Sequence, residues 1–278
     1  MENKIRRNIR KALKAEEELI DFAFIREKGL FNKAFKWIQN NFHFESYNIT
    51  KLDSSTAIKE DIMKELLLMV EFAKNNRNSE LFFSYSGHGT HYFSYNEKDY
   101  QNEAICPVDY MTNGLISDDW LKKNFIEQLP EDCKLFAIMD CCHSGTIMDL
   151  PYKFPIINNR VYRNKANMVQ MANKNVYMLA GSRDNQVAND YYNYESNTAM
   201  GLFSMSLMEV LRNRNHNVSF FQLYLDINKY MKQFNMPQTA VMSSSNHYPL
   251  QIKLQRVGVD QNVGYVNPTL SNQTRYQY

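Results

Sequence analysis

Three short, nearly uninterrupted apolar runs constrain the fold of this chain more than any other feature of its sequence: Leu81-Phe82-Phe83 with Tyr85, Lys134 to Met139, and Asn175 to Ala180. A strand of alternating polarity keeps one face wet, whereas runs like these are covered on both faces. Helical patterns separate them. Ile62, Leu66, Met69, Val70 and Phe72 recur at helical spacing within Ile58 to Lys74, and Trp120 to Leu129 reads as another helix. Buried strands alternating with helices predict an α/β fold around a mostly parallel sheet.

Around this centre the pattern is less regular. Residues 2 to 18, rich in Lys, Arg, Glu and Ala, predict a helix, and Leu19 to Ile25 fits either its continuation or a short strand. Phe31, Ala34, Phe35 and Ile38 predict a helix over 31–42, and Ser46 to Leu52 a strand before the polar turn Asp53 to Thr56. Leu150 to Lys174, with Pro151, Pro155, Asn158 and Asn159, reads as a long exposed loop. Helices are expected at Ala199 to Arg212 and Phe220 to Phe234, and an edge strand at Leu250 to Leu254. The expected organisation is a helical N-terminal extension at 1–30, one main domain at 31–258 and a loose polar tail at 259–278.

Composition narrows the partners. With 44% apolar residues the chain can bury a substantial core, and 32 basic against 30 acidic residues leave a formal charge of only +2. That balance gives no reason to expect nucleic acid or an anionic membrane as partner. The basic stretch Lys4 to Lys14 runs straight into Glu16, Glu17 and Glu18 and reads as a solvated helix face. No segment approaches the roughly 18 apolar residues of a membrane span, and no signal-peptide pattern opens the sequence. A soluble, cytoplasmic, monomeric protein is expected. Cys141 and Cys142 are adjacent, a poor layout for a disulfide framework, so Cys106, Cys133, Cys141 and Cys142 are read as free thiols in a reducing compartment.

Two apolar runs end in abrupt polar turns. One continues into Ser84-Tyr85-Ser86-Gly87-His88-Gly89, the other into Asp140-Cys141-Cys142-His143-Ser144-Gly145. Ligand sites of open α/β folds form at the carboxyl ends of parallel strands, so His88 and Cys142 can face one substrate. An imidazole near a thiol lowers the thiol pKa and can protonate a leaving amine, the division of labour in cysteine peptidases. Glycine beside the histidine lets a peptide approach and frees an N–H for an oxyanion, a role assigned to Gly89 and Cys142. A zinc site from His88, Cys141, Cys142 and His143 fails on spacing, because adjacent cysteines in a strand-to-turn segment do not readily ligate one tetrahedral ion.

These two motifs, His88 and Cys142 lying 54 residues apart, resemble the motif pair of the metacaspases, although that family usually has Ser where Cys141 stands. Glu103 to Asp109, Ile116 to Asp119, Val176 to Ser182, and Pro237-Gln238 with Ser243 to Ser245 also look like metacaspase blocks. The resemblance implies a caspase-like three-layer α/β/α sandwich and a Cys-His dyad peptidase acting on protein or peptide substrates.

It further implies that Ser86 and Asp140 line a pocket for Arg or Lys side chains, a buried carboxylate being suited to a cationic group. The alternative for Asp140 is a cap on the following turn. Leu30 and Lys33 fall where the family's pocket carries Cys and Asp, and Lys33 would oppose a basic substrate residue. Calcium ligands carry over onto Asn102, Asp118, Asp119 and Asp149, with Asn in place of one carboxylate. Capping of the helix near Trp120 by Asp118 and Asp119 is the competing reading. Arg160, Arg163 and Lys165 in the loop suit self-cleavage by a basic-residue peptidase. Two rival functions remain: a catalytically silent interaction module, and a peptidase of non-basic specificity.

Overall fold

The computed structural model describes residues 20–26, 49–53, 55–93, 101–141, 145–165, 171–181, 190–193, 198–215, 217–235, 238–249, 252–253 and 276–277. Its strands are β1 Ile20–Arg26, β2 Ile49–Asp53, β3 Glu80–Ser86, β4 Gly89–Phe93, β5 Gln101–Ile105, β6 Ile116–Ser117, β7 Lys134–Asp140, β8 Tyr152–Lys153, β9 Ile156–Ile157, β10 Arg160–Val161, β11 Asn164–Lys165, β12 Val176–Ala180, β13 Asp190–Asn193, β14 Thr198–Gly201 and β15 Val241–Ser244. The longer helices are α1 Lys59–Asn75, α2 Asp118–Asn124, α3 Leu202–Asn213 and α4 Phe220–Met231.

Eight strands form one mixed sheet in the order β11-β8-β15-β12-β7-β3-β1-β2. The five from β12 to β2 run parallel, and β15, β8 and β11 extend one side antiparallel. The apolar runs supply both faces by simple alternation. Leu81, Phe83, Tyr85, Leu135, Ala137, Met139, Val176, Met178 and Ala180 enter a core with α1 and α2, while Phe82, Phe136, Ile138, Tyr177 and Leu179 enter a second core with α3 and α4. The result is the three-layer α/β/α sandwich.

Helix α1 buries Ile62, Leu66, Met69, Val70 and Ala73 as one stripe and carries Glu60 and Asp61 in its first turn, favourable against the helix dipole. On the other layer Phe136 stacks on Tyr177 at 5.5 Å and meets Phe220 at 5.4 Å. Truncating such a ring to Ala costs about 3–5 kcal/mol.

Three expectations need correction or completion. The ambiguous segment Leu19 to Ile25 contributes a strand, β1, inside the span assigned to an N-terminal extension, because it finds partners on both sides in β2 and β3. Leu150 to Lys174 is not simply an exposed loop. Leu150, Phe154, Ile156 and Val161 are buried, β8 joins the main sheet, and β9 and β10 close a hairpin at Asn158 and Asn159, whose φ of 50° and 57° suit a tight hairpin turn. Prolines signalled a loop there, but the Phe154 carbonyl accepts from the Tyr224 hydroxyl at 2.6 Å and ties the segment down. The strand beside β12 is Val241–Ser244, not Leu250 to Leu254: Ile252 and Lys253 lie in no strand, while 250, 251 and 254 are outside the described residues. The expected helices at 2–18 and 31–42 also lie outside them.

Candidate active site

Strands β3 and β7 end together. Ser86 is in register with Asp140, and the Gly87 N–H donates to the Asp140 carbonyl at 3.2 Å. The sequence then carries His88 and Cys142 each two residues beyond that pair. His88 is exposed, and Cys141 is buried in the core. Cys142, with His143 and Ser144, lies outside the described residues, as do Leu30 and Lys33.

The turn bearing His88 is held from beneath. The Cys106 N–H donates to the His88 carbonyl at 3.0 Å, and the hydroxyl of Tyr85 lies 2.8 Å from that carbonyl and 3.0 Å from the carbonyl of Cys106. Gly89 then opens β4 opposite Ile105.

Asp140, only 7% exposed, has a made-to-measure surrounding. The Ser204 hydroxyl donates to its Oδ2 from the first turn of α3. A Cβ on Gly181 would lie 3.0 Å from Oδ1, and one on Gly201 would lie 2.5 Å from Oδ2. The Gln238 amide donates to the Gly181 carbonyl at 2.6 Å, which fixes that glycine at the end of β12. Ser86 sits beside this group, half-buried at the tip of β3. Sequence reading missed Tyr85, Gly181, Gly201 and Ser204. Their one signal was position, since each borders a strand end or a helix start.

The four expected cation ligands are brought into one neighbourhood. The Asn102 amide donates to Asp119 Oδ2 at 3.2 Å, and Asp118 accepts from the Glu103 and Asp119 N–H groups at 3.1 and 2.8 Å. Burial pushes the Asp118 carboxyl up to about 7, with a further push from the charges of Asp149 and Asp119. Lys122 holds Asp149 in an ion pair of 3.0 Å. At the start of α2 the Ser117 hydroxyl accepts from the Trp120 N–H at 3.2 Å, and Asp118 also takes the Asp119 N–H of the first turn. Among the described residues no three His, Cys, Asp or Glu side chains stand in a metal-holding arrangement. The donors nonetheless suit a hard, oxygen-seeking cation: Asn102, 4% exposed, keeps its Oδ1 without a hydrogen-bond partner among the described residues, close to Asp118, whose carboxyl burial disfavours as an anion.

Residues 29–151 match the metacaspase, peptidase C14 domain. Metacaspase-2 of Trypanosoma brucei brucei is 29% identical over 197 residues, covering 67% of this chain and 56% of its own. The protein named inactive metacaspase-4 from the same organism is 27% identical over 197 residues, covering 67% and 55%. The chain thus spans about half the length of these curated relatives. A crystal structure of a Geobacter sulfurreducens protein superposes with a TM-score of 0.56 at 17% identity, covering 82% of this chain and 94% of that one, a likeness of fold. No helix among the described residues is long and apolar enough to cross a membrane.

Proposed function

The peptidase C14 domain at residues 29–151 assigns this chain to the metacaspase family, and we propose that it is a cysteine endopeptidase cleaving after Arg or Lys, with Cys142 as nucleophile and His88 as base. The observation that carries the specificity is Asp140: a buried carboxylate two residues before the proposed nucleophile, packed against Gly181 and Gly201, where any larger side chain would meet its oxygens. A guanidinium or ammonium entering there makes a charge-assisted hydrogen bond with the carboxylate.

In the proposed reaction the Cys142 thiolate attacks the scissile carbonyl carbon, and the carbonyl π pair moves onto oxygen, facing the N–H groups of Gly89 and Cys142. Collapse breaks the C–N bond, and the proton held by His88 goes to the leaving amine. Water activated by His88 then hydrolyses the thioester, releasing the carboxylic acid and returning the thiol. Protein or peptide substrates and a cytoplasmic location belong to this reading.

Calcium at Asn102, Asp118, Asp119 and Asp149 would supply positive charge to the buried Asp118 carboxylate and its two more exposed neighbours. Lys122 already provides part of that charge to Asp149, so a cation competes with an ammonium there. Self-cleavage after Arg160, Arg163 or Lys165 is part of the proposal. All three are exposed, although Arg160 pairs within β10 and Arg163 lies over the Tyr248 ring at 4.9 Å, so cleavage requires local opening.

The test is hydrolysis of matched fluorogenic peptides ending in Arg, Lys or Asp, with and without millimolar calcium, by the native protein and Cys142→Ala. Cleavage after Arg or Lys that disappears in the variant supports nucleophile and pocket together. Cleavage after other residues alone removes the pocket from the reading, and a folded protein silent on every peptide leaves the interaction module.

A further inference from the structure

Tyr85 is 2% exposed and sits two residues before Gly87, inside the core under the histidine turn. Its ring lies with the α1 and α2 layer, yet its hydroxyl spends its one proton on two backbone carbonyls, those of His88 and Cys106. The His88 carbonyl thereby accepts from two donors, the Tyr85 hydroxyl at 2.8 Å and the Cys106 N–H at 3.0 Å.

That carbonyl shares a peptide plane with the N–H of Gly89. In a trans peptide the two point in opposite directions, so a carbonyl pinned toward β5 turns the Gly89 N–H away from it. The ladder agrees. Gly89 is opposite Ile105, and the bond from Cys106 N–H to His88 carbonyl brackets that pair as the non-hydrogen-bonded kind, which leaves the Gly89 N–H outside the β4–β5 ladder. Gly87 makes the arrangement possible, because a Cβ there would lie 2.8 Å from the Tyr85 hydroxyl oxygen and 3.0 Å from its ring carbon Cζ.

We propose that Tyr85 is the positioning residue of the oxyanion hole: its buried hydroxyl locks the His88–Gly89 peptide so that the Gly89 N–H is presented to the substrate oxyanion. The inference rests on the peptidase reading above and adds to it a buried residue that acts through the backbone of the histidine turn. Preorganised donors stabilise a transition state because they need not reorganise as charge develops. A peptide held by one backbone bond alone has more freedom to rotate.

The experiment compares wild type with Tyr85→Phe in two reactions at Cys142. Alkylation by iodoacetamide displaces iodide and forms no oxyanion, whereas hydrolysis of a peptide amide does. For Tyr85→Phe, kcat for the amide is expected to fall roughly tenfold, the scale of one lost hydrogen bond, with KM and the alkylation rate within about twofold of wild type. Affinity for a peptide aldehyde, whose adduct oxygen occupies the hole, is expected to fall in parallel. Gly87→Ala, which crowds the hydroxyl without removing it, is expected to reproduce the selective loss if the Phe variant does not fold.

Equal losses in alkylation and hydrolysis would make Tyr85 a structural support for the whole turn and overturn the proposal. So would full hydrolytic activity in Tyr85→Phe, which leaves the peptidase reading intact. A folded wild type that hydrolyses nothing and shows no preference for Cys142 would sink that reading and this one with it.

Discussion

Gly201 and Asp140 compete for one volume: a Cβ at Gly201 would stand 2.5 Å from the carboxylate oxygen Oδ2. The start of the helical layer and the end of β7 therefore meet across the group proposed to bind a basic side chain. Gly201→Ala is expected to displace the carboxylate and lower kcat/KM for Arg and Lys peptides by at least about tenfold, mostly through KM. Thiol alkylation at Cys142 should be unchanged. Steady-state kinetics on matched peptides checks this, and an unaltered preference for Arg would place the pocket elsewhere.

Ser204→Ala removes the hydroxyl that donates to Asp140 without adding bulk. A carboxylate that loses this donor is held less firmly in place, so KM for basic peptides is expected to rise. The effect at pH 7 should be smaller than that of Gly201→Ala, about threefold. Steady-state KM on matched Arg, Lys and Asp peptides for both variants is the check, and a larger loss in Ser204→Ala than in Gly201→Ala would contradict it.

How much of this was legible depends on the kind of signal. The apolar runs at Leu81, Leu135 and Val176 marked the central strands because residues buried on both faces have no wet side to write polarity into the pattern. His88 and Cys142 stood out because each follows such a strand with glycine nearby. Ser204, Gly201 and Gly181 come from distant parts of the chain and converge on Asp140 only through the sheet order, a relation no local pattern encodes. Leu19 to Ile25 was ambiguous for the opposite reason, since its strand character comes from partners on either side and not from its own spacing. The segment after Leu150 was misjudged because Pro and Asn signal turns, and a series of two-residue strands is mostly turns.

Asp118 gives a pH dependence of stability. Its folded pKa, about 7, lies above the 3.8 of an unperturbed side chain, so between those values the native state holds a proton that the unfolded chain has released. That contribution is complete in acid and is lost as pH rises through 7. In calcium-free buffer Asp118→Asn is therefore expected to melt a few degrees above wild type at pH 8, with the gap closing toward pH 5. Melting curves of both proteins across this range are the check, and a gap that widens in acid would contradict the buried placement of the carboxyl.

Asn102→Asp tests the cation site from the other side. The present amide donates to Asp119 at 3.2 Å, and an aspartate would replace that hydrogen bond with a second negative charge. Calcium-free stability should fall, while calcium affinity by titration calorimetry should tighten by about tenfold as the added carboxylate becomes a ligand. Loss of stability with no gain in affinity would remove Asn102 from the proposed ligand set.

The thiols offer a map of the site that does not depend on turnover. Cys133 is 0% exposed, and burial pushes its thiol up to about 11, so at pH 7.5 only about one molecule in three thousand carries the thiolate there. Cys141 is buried as well, and Cys106 is half-buried near the histidine turn. Iodoacetamide on the native protein is expected to label Cys142 first and Cys106 more slowly, leaving Cys133 and Cys141 unmodified until denaturant is added. His88→Ala should slow labelling of Cys142 alone, because only that thiol is proposed to exchange its proton with the imidazole. Peptide mapping by mass spectrometry over a time course reads all four sites at once. Slowing of Cys106 to the same degree would mean that the substitution had loosened the turn, and equal reactivity of Cys142 with and without His88 would break the proposed pair.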